Sequence, residues 1–504
     1  MRRSIAVVYL TCVGAGLLAV HAQMHKKPFA SENSLVQVSG QSHFPPGCPP
    51  QQSGIDYMNS AVEPQVATDP TNPQHLIGVW QQDRWSNGGA TATLTGVSFD
   101  GGRTWKQISA RTGVCDGGST TLASDPWVTI SPNGVAYQSA LGLTRTAGST
   151  ETAVLVSRSS DGGISWGDVT VVDSSKSDDK ETITADPIDA HYVYAVWDRN
   201  GAAPNSLANW FSRSVDGGLT WEPAHPIYDP GPNNYASINQ IVVLTDGTLL
   251  DVFLLTRGDS PTMIAAMRST DRGATWSAPV AIALNLAIGV VDSRTQAGVR
   301  TGLGIPSSAV DSISGTIYVA WEDGRFSGGQ REGVALVKSI DGGTTWSQPA
   351  QVNQVPEVQA FNPVVAVGTR NTLLGPRGLV GMTYFDFRQA GEDASTLPTT
   401  YWQIVSADGG STWLETMVAG PFDMLKAPRS GNAYFLGDYH GLAVSGEQFV
   451  PFFASTATSD TNILSNILAR PFAGPPVPKG SGWRGRVEVN HNPKPFHRHE
   501  PLRR

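Results

Sequence analysis

The chain has 504 residues, among them 54 glycines and 34 prolines, and only 15% of it is charged. That composition suits many turns and short strands and argues against a helical bundle; no long segment shows helical periodicity. Asp and Glu outnumber Lys and Arg 43 to 35, so a nucleic-acid partner is not expected.

Residues 1–22 read as a secretion signal. Arg2 and Arg3 form a charged start, Ile5–Val20 is apolar, and Val20-His21-Ala22 is a plausible cleavage site. No later segment is long and apolar enough to span a membrane, so a secreted chain, periplasmic or extracellular, is expected. Export leaves two cysteines, Cys48 and Cys115. In an oxidising compartment an even pair suggests one disulfide, the alternative being two unrelated thiols. Both flank the first unit described below, so a bond between them is geometrically reasonable.

Residues 23–60 are polar and Pro-rich, with one candidate strand at Ser34–Ser39. Residues 61–470 fall into seven similar units of an innermost strand A, then B, C and D. The units begin near Glu63, Asp125, Glu181, Tyr235, Ile305, Asn362 and Asp438. Expected B strands are Leu76–Trp80, Val135–Ala140, Tyr192–Trp197, Thr248–Leu255, Thr316–Trp321, Leu379–Phe385 and Gln448–Ala454. The last unit lacks a fourth strand, which Ser34–Ser39 is placed to supply. Residues 471–504 are Pro-rich and basic and read as a disordered tail.

Six units carry one octet between C and D. It reads SFDGGRTW at Ser98–Trp105, SSDGGISW at Ser159–Trp166 and SVDGGLTW at Ser214–Trp221. It recurs as STDRGATW at Ser269–Trp276, SIDGGTTW at Ser339–Trp346 and SADGGSTW at Ser406–Trp413. Asp accepts from backbone N–H groups, Gly takes positive φ, and Trp opens the next strand as an apolar anchor. Six near-identical turns are explained by folding alone, so no metal is assigned to them. A period of this kind marks a repeat architecture.

On these octets the chain resembles the Asp-box (BNR-repeat) β-propellers, whose members include the sialidases. The resemblance implies an all-β propeller; sialidases have six blades, whereas the seven units counted here lead to seven four-stranded blades closed by the N-terminal strand. Six blades with a C-terminal extension is the alternative. It also implies glycoside hydrolysis without a metal or organic cofactor, on a glycan or glycoconjugate, by a monomer. The sialidase motif (F/Y)-R-I-P is absent near the first unit, which reads Ser60-Ala61-Val62-Glu63-Pro64, so the family's arginine triad does not carry over.

Strand parity puts the octets on one face and the starts of A with the ends of B on the other. B strands run into Arg84, Arg199, Arg257, Arg325 and Arg388, the expected substrate-binding residues for an anionic or polyhydroxylated ligand. Ion pairs joining neighbouring blades are the structural alternative for each Asp–Arg pair. The A starts supply the candidate catalytic groups Glu63, Asp125, Glu181 and Asp438, and Tyr439 resembles the sialidase nucleophile in its setting. The expected function is a secreted sialidase-like hydrolase with its site at the mouth of the central channel. A non-catalytic propeller that binds glycan or protein is the alternative, since fold does not decide between them.

Overall fold

The computed structural model describes residues 35–470, apart from 51, 147 and 459–464; the expected leader (1–22) and tail (471–504) lie outside the described residues. Among the described residues the chain is all-β, with three short 3-10 segments. No helix there is long and apolar enough to cross a membrane.

Strands follow one another as antiparallel meanders. The first is Asp56–Asp69, Asn72–Trp85, Ala90–Ser98 and Lys106–Ser109; the fifth is Ser307–Val310, Ile317–Asp323, Gly333–Ser339 and Ala350–Gln351. The last is Gly441–Ser445, Gln448–Ser455 and Asn466–Ala469, and Val36–Gln37 pairs with its outer strand, Val36 opposite Ala469.

Burial explains why B strands read as continuous apolar runs rather than alternating ones. Every residue of Ile317–Asp323 is buried. Ile317, Val319 and Trp321 pack on Leu250, Val252 and Ile264 of the preceding sheet. Tyr318 and Ala320 pack on Val380, Met382 and Tyr384 of the following one. Each sheet is thus covered on both faces, which makes both side-chain sets of a strand apolar. The same contact joins the first sheet to the last, through Leu76 and Trp80 against Val450, Phe452 and Ile467. Sheets stacked face to face around an axis, with A strands innermost, are the β-propeller architecture.

The octets fold as one repeated turn. In the first, Ser98 Oγ donates to Asp100 and accepts from Gly102 N–H, while Asp100 accepts from the N–H and hydroxyl of Thr104. The octets of Asp161, Asp216, Asp271, Asp341 and Asp408 repeat this network. The Trp precedes the D strand rather than opening it; Trp166, for example, lies before Thr170–Ser175.

Two features depart from the expected units. The B strands run on past their apolar cores to include the mouth-side residues, as Asn72–Trp85 does. Between and after the later units the chain also forms a small extra sheet of Val290–Val291, Gly298–Arg300, Ala433–Phe435 and Arg429–Ser430. Cys48 and Cys115 are joined in a disulfide, with Cα atoms 5.9 Å apart.

Candidate functional site

The A strands share a local irregularity. Glu63, Asp125, Lys180, Ile238 and Asn362 all have φ between 47° and 62°. Each sits at a break in the A–B register, between Val62 and Gln65, Ser124 and Trp127, Asp179 and Thr182, Ser237 and Gln240, and Phe361 and Val364. These are β-bulges. A bulge adds one residue, frees it from the ladder and re-aims its side chain. Pro64, Pro126 and Pro363 follow three of them, where a missing N–H costs no ladder bond. Gly437 completes the set: a Cβ there would lie 2.9 Å from Glu63 Cα, so only glycine lets the backbone before Asp438 approach the first sheet.

The bulges gather charge at one end of the channel. The Lys180 ammonium lies 2.8 Å from Asp438 Oδ2, 3.1 Å from Asp125 Oδ1 and 3.6 Å from Glu63 Oε1. Arg300, from the extra sheet, grips both oxygens of Asp438 and donates to Ser430. Arg84 donates to Gln81, which in turn donates to Glu63, and Arg84 and Arg300 both lie against Phe435. Burial opposes the charge on Asp438, but Lys180 and Arg300 outweigh it and hold this carboxyl well below its usual range. Burial pushes Glu63 up to about 7, with Lys180 pulling the other way. Burial, and then the charge of Asp125, hold Glu181 far above the usual carboxylate range, so it is neutral. Both its oxygens are buried without a hydrogen-bond partner.

Below this cluster a cavity of about 300 Å³ follows the channel. Asp125, Lys180, Glu181, Asp438 and Tyr439 line one end, and Val310, Val367 and Val444 contribute apolar wall. The Tyr439 hydroxyl donates to Pro126 C=O at 3.1 Å, its ring meets Trp127 edge-on, and burial raises its ionisation well above the ordinary value. That hydroxyl ties two strand starts together.

The structure therefore brings Glu63, Asp125, Glu181, Asp438, Tyr439 and Arg84 together. It does not bring the other arginines there. Arg199 pairs with Asp173 and Asp178 over Trp210. Arg325 pairs with Asp323 over Trp321, and Arg388 with Asp386 and Glu415 over Trp402. In each case the paired Asp also accepts from a Trp indole: Trp197 on Asp178, Trp321 on Asp323, Trp402 on Asp386. The Asp–Arg signature is thus a staple within the unit, repeated because the Trp needs an acceptor. Arg257 lies exposed, near Tyr228. Lys180 and Arg300 take the place of these residues at the channel. Lys180 directly precedes Glu181, the expected start of the third unit. Arg300 carried no signal, because the extra sheet that holds it has strands of two or three residues. Among the described residues no group of three or more His, Cys, Asp or Glu is arranged to hold a metal ion.

No protein-family model matches the chain, and no curated protein matches it. Solved structures do resemble it. One is a protein of unknown function from Dyadobacter fermentans, 13% identical, covering 70% of this chain and 93% of its own, with a TM-score of 0.45. Another is a GH93 α-L-arabinofuranosidase of Fusarium graminearum bound to arabinobiose, 16% identical over 75% of this chain and 98% of its own, TM-score 0.44. A leech intramolecular trans-sialidase is 13% identical over 86% of this chain and 70% of its own, TM-score 0.38. Likeness at this level assigns no activity to the chain.

Proposed function

We propose that the chain is an exported, sialidase-like glycoside hydrolase that cleaves an extracellular glycan at the end of its propeller channel. In this reading the ring has seven blades, the last closed by Val36–Gln37, and residues 1–22 direct export. The pairing of Val36–Gln37 with Asn466–Ala469 supports the closure.

One observation carries the catalytic reading. Asp125 and Glu181, on neighbouring A strands, line the same cavity in different electrostatic settings. Glu181 is buried, unpartnered and neutral. Asp125 faces the Lys180 ammonium. A carboxyl whose burial opposes its ionisation, beside one that faces an ammonium, supplies a candidate general acid and a candidate general base or nucleophile. Turnover of a panel of aryl glycosides, a sialoside included, tests the assignment. Asp125→Asn and Glu181→Gln should each lower kcat by roughly a hundredfold or more with the fold intact. Unchanged turnover in both would remove them from the mechanism.

A second reading has its own support. Lys180 and Arg300 together hold Glu63, Asp125 and Asp438, which joins four sheets and the extra sheet by ion pairs. A propeller braced in this way would bind glycan or protein without cleaving it, and no turnover across the panel favours that reading.

A further inference from the structure

We propose that the channel cavity is a subsite for one uncharged sugar ring, and that the chain therefore discriminates against acidic sugars. For the bond cleaved this rests on the hydrolase reading; the binding itself can be measured without turnover.

The argument starts from polar atoms that have nothing to bind. Both carboxyl oxygens of Glu181, both amide atoms of Asn239 and Nε2 of His440 are buried and unpartnered. All three residues line the cavity and are at most 3% exposed. A buried polar atom left without a partner costs about 1–3 kcal/mol, so five on residues that line one cavity call for an occupant. Their types define it. Neutral Glu181 offers one donor and one acceptor, and the Asn239 amide offers both. His440 Nδ1 accepts from Ala454 N–H, which leaves its proton on Nε2 as a donor. Burial holds His440 down to about 3, so the ring is neutral too. A wall of uncharged donors and acceptors matches hydroxyl groups, each of which both donates and accepts.

Charge excludes the other candidate. Asp125, Glu181 and Asp438 line the cavity, and Lys180 is the cation among the lining residues. Its ammonium is already held by Asp125 and Asp438. Arg300 is committed to Asp438, and Arg84, which donates to Gln81 and Ser430, is not among the residues that line the cavity. Inside the cavity a ligand carboxylate would meet acids and no lining cation free of an acid, so the arginine pocket expected from the sequence is not built into its wall. Trp127 and Tyr439 supply an apolar edge for the C–H face of a ring. At about 300 Å³ the cavity lies at the small end of ligand sites, which suits one sugar ring better than a long oligosaccharide.

The test uses the mature chain, titrated with methyl glycosides of neutral pentoses and hexoses and, in parallel, with glucuronate and sialic acid. Calorimetry and the fluorescence of Trp127 read the binding. At least one neutral glycoside should bind saturably, with a Kd in the millimolar range or tighter. Asn239→Ala should weaken it by about tenfold or more at an unchanged melting temperature. Asn239→Asp, which puts a charge in the same volume, serves if the alanine variant misfolds and should weaken binding as much. Failure of every neutral glycoside to bind would mean that the wall holds ordered water only and would overturn the subsite. So would tighter binding of an acidic sugar, or full affinity in both Asn239 variants. Binding without turnover of any aryl glycoside would instead sink the hydrolase reading and leave the subsite standing. Turnover of the sialoside alone would do the reverse.

Discussion

Replacing Lys180 with methionine keeps most of the unbranched side chain and deletes the charge that three carboxyl groups share. Removing one partner of a buried ion pair typically costs about 3–5 kcal/mol, because the charge left behind is uncompensated. Two features of this site pull the cost toward the lower end. Arg300 still clasps Asp438. Glu63, already raised to about 7, can take up a proton. We expect a loss of about 3 kcal/mol at pH 8. Losing Lys180 raises Glu63 further and lifts Asp438 from its depressed value in the folded state. Groups raised on folding stabilise the fold below their unfolded pKa, and that contribution disappears as pH climbs through the folded value. The deficit of the variant should therefore grow with pH and shrink to about half at pH 5. For a chain of this length the unfolding entropy is about 1.1 kcal/mol per degree, so the melting temperature should fall by about 3 °C at pH 8 and by half that at pH 5. Thermal melts of parent and variant at both pH values measure this. Equal deficits at the two values, or none beyond about 0.5 °C, would show that the carboxyl groups do not depend on Lys180 and would refute the coupling.

Cys48→Ser with Cys115→Ser opens a loop spanning 67 residues. The chain-entropy model gives a loss of about 4 kcal/mol, and thiol titration of the unreduced, denatured parent should find no free thiol. Asp251 is a buried carboxyl whose one side-chain partner is Asn209 at 3.3 Å, and burial raises it to about 7. Its protonated form favours folding below the unfolded value, and that advantage is lost as pH rises to about 7. Asp251→Asn should therefore stabilise the chain by roughly 3 kcal/mol at pH 8 and hardly at pH 4, as urea titrations would show.

The octets and the apolar B strands were legible because each rests on local chemistry. A turn that needs Asp, Gly and Ser in fixed places announces itself, and a strand covered on both faces reads as an unbroken apolar run. The arginines misled for a related reason. Asp386-Phe387-Arg388 looks like a site motif in one dimension, but the Trp that makes sense of it, Trp402, lies on the adjacent strand. Arg300 was illegible because Gly298–Arg300 is too short to show alternation, and its neighbour Ala433–Phe435 lies more than a hundred residues away. The bulges left a trace that went unread. Glu63-Pro64, Asp125-Pro126 and Asn362-Pro363 repeat a polar residue before proline at the same place in three units. Proline inside an innermost strand is itself a sign that the ladder is interrupted.

The bulge at the head of five innermost strands separates what builds the molecule from what works in it. A residue there has no ladder register to keep and belongs to neither stacked core, so its identity answers to the channel alone. Glu63, Asp125, Lys180, Ile238 and Asn362 occupy one backbone conformation and share almost no side-chain chemistry. The heads behave as interchangeable sockets, into which selection can fit an acid, a base, an amide or a hydrocarbon one sheet at a time. A scaffold with such sockets could change its substrate by substitutions at a few sequence-distant positions, and leave its turns and its cores untouched.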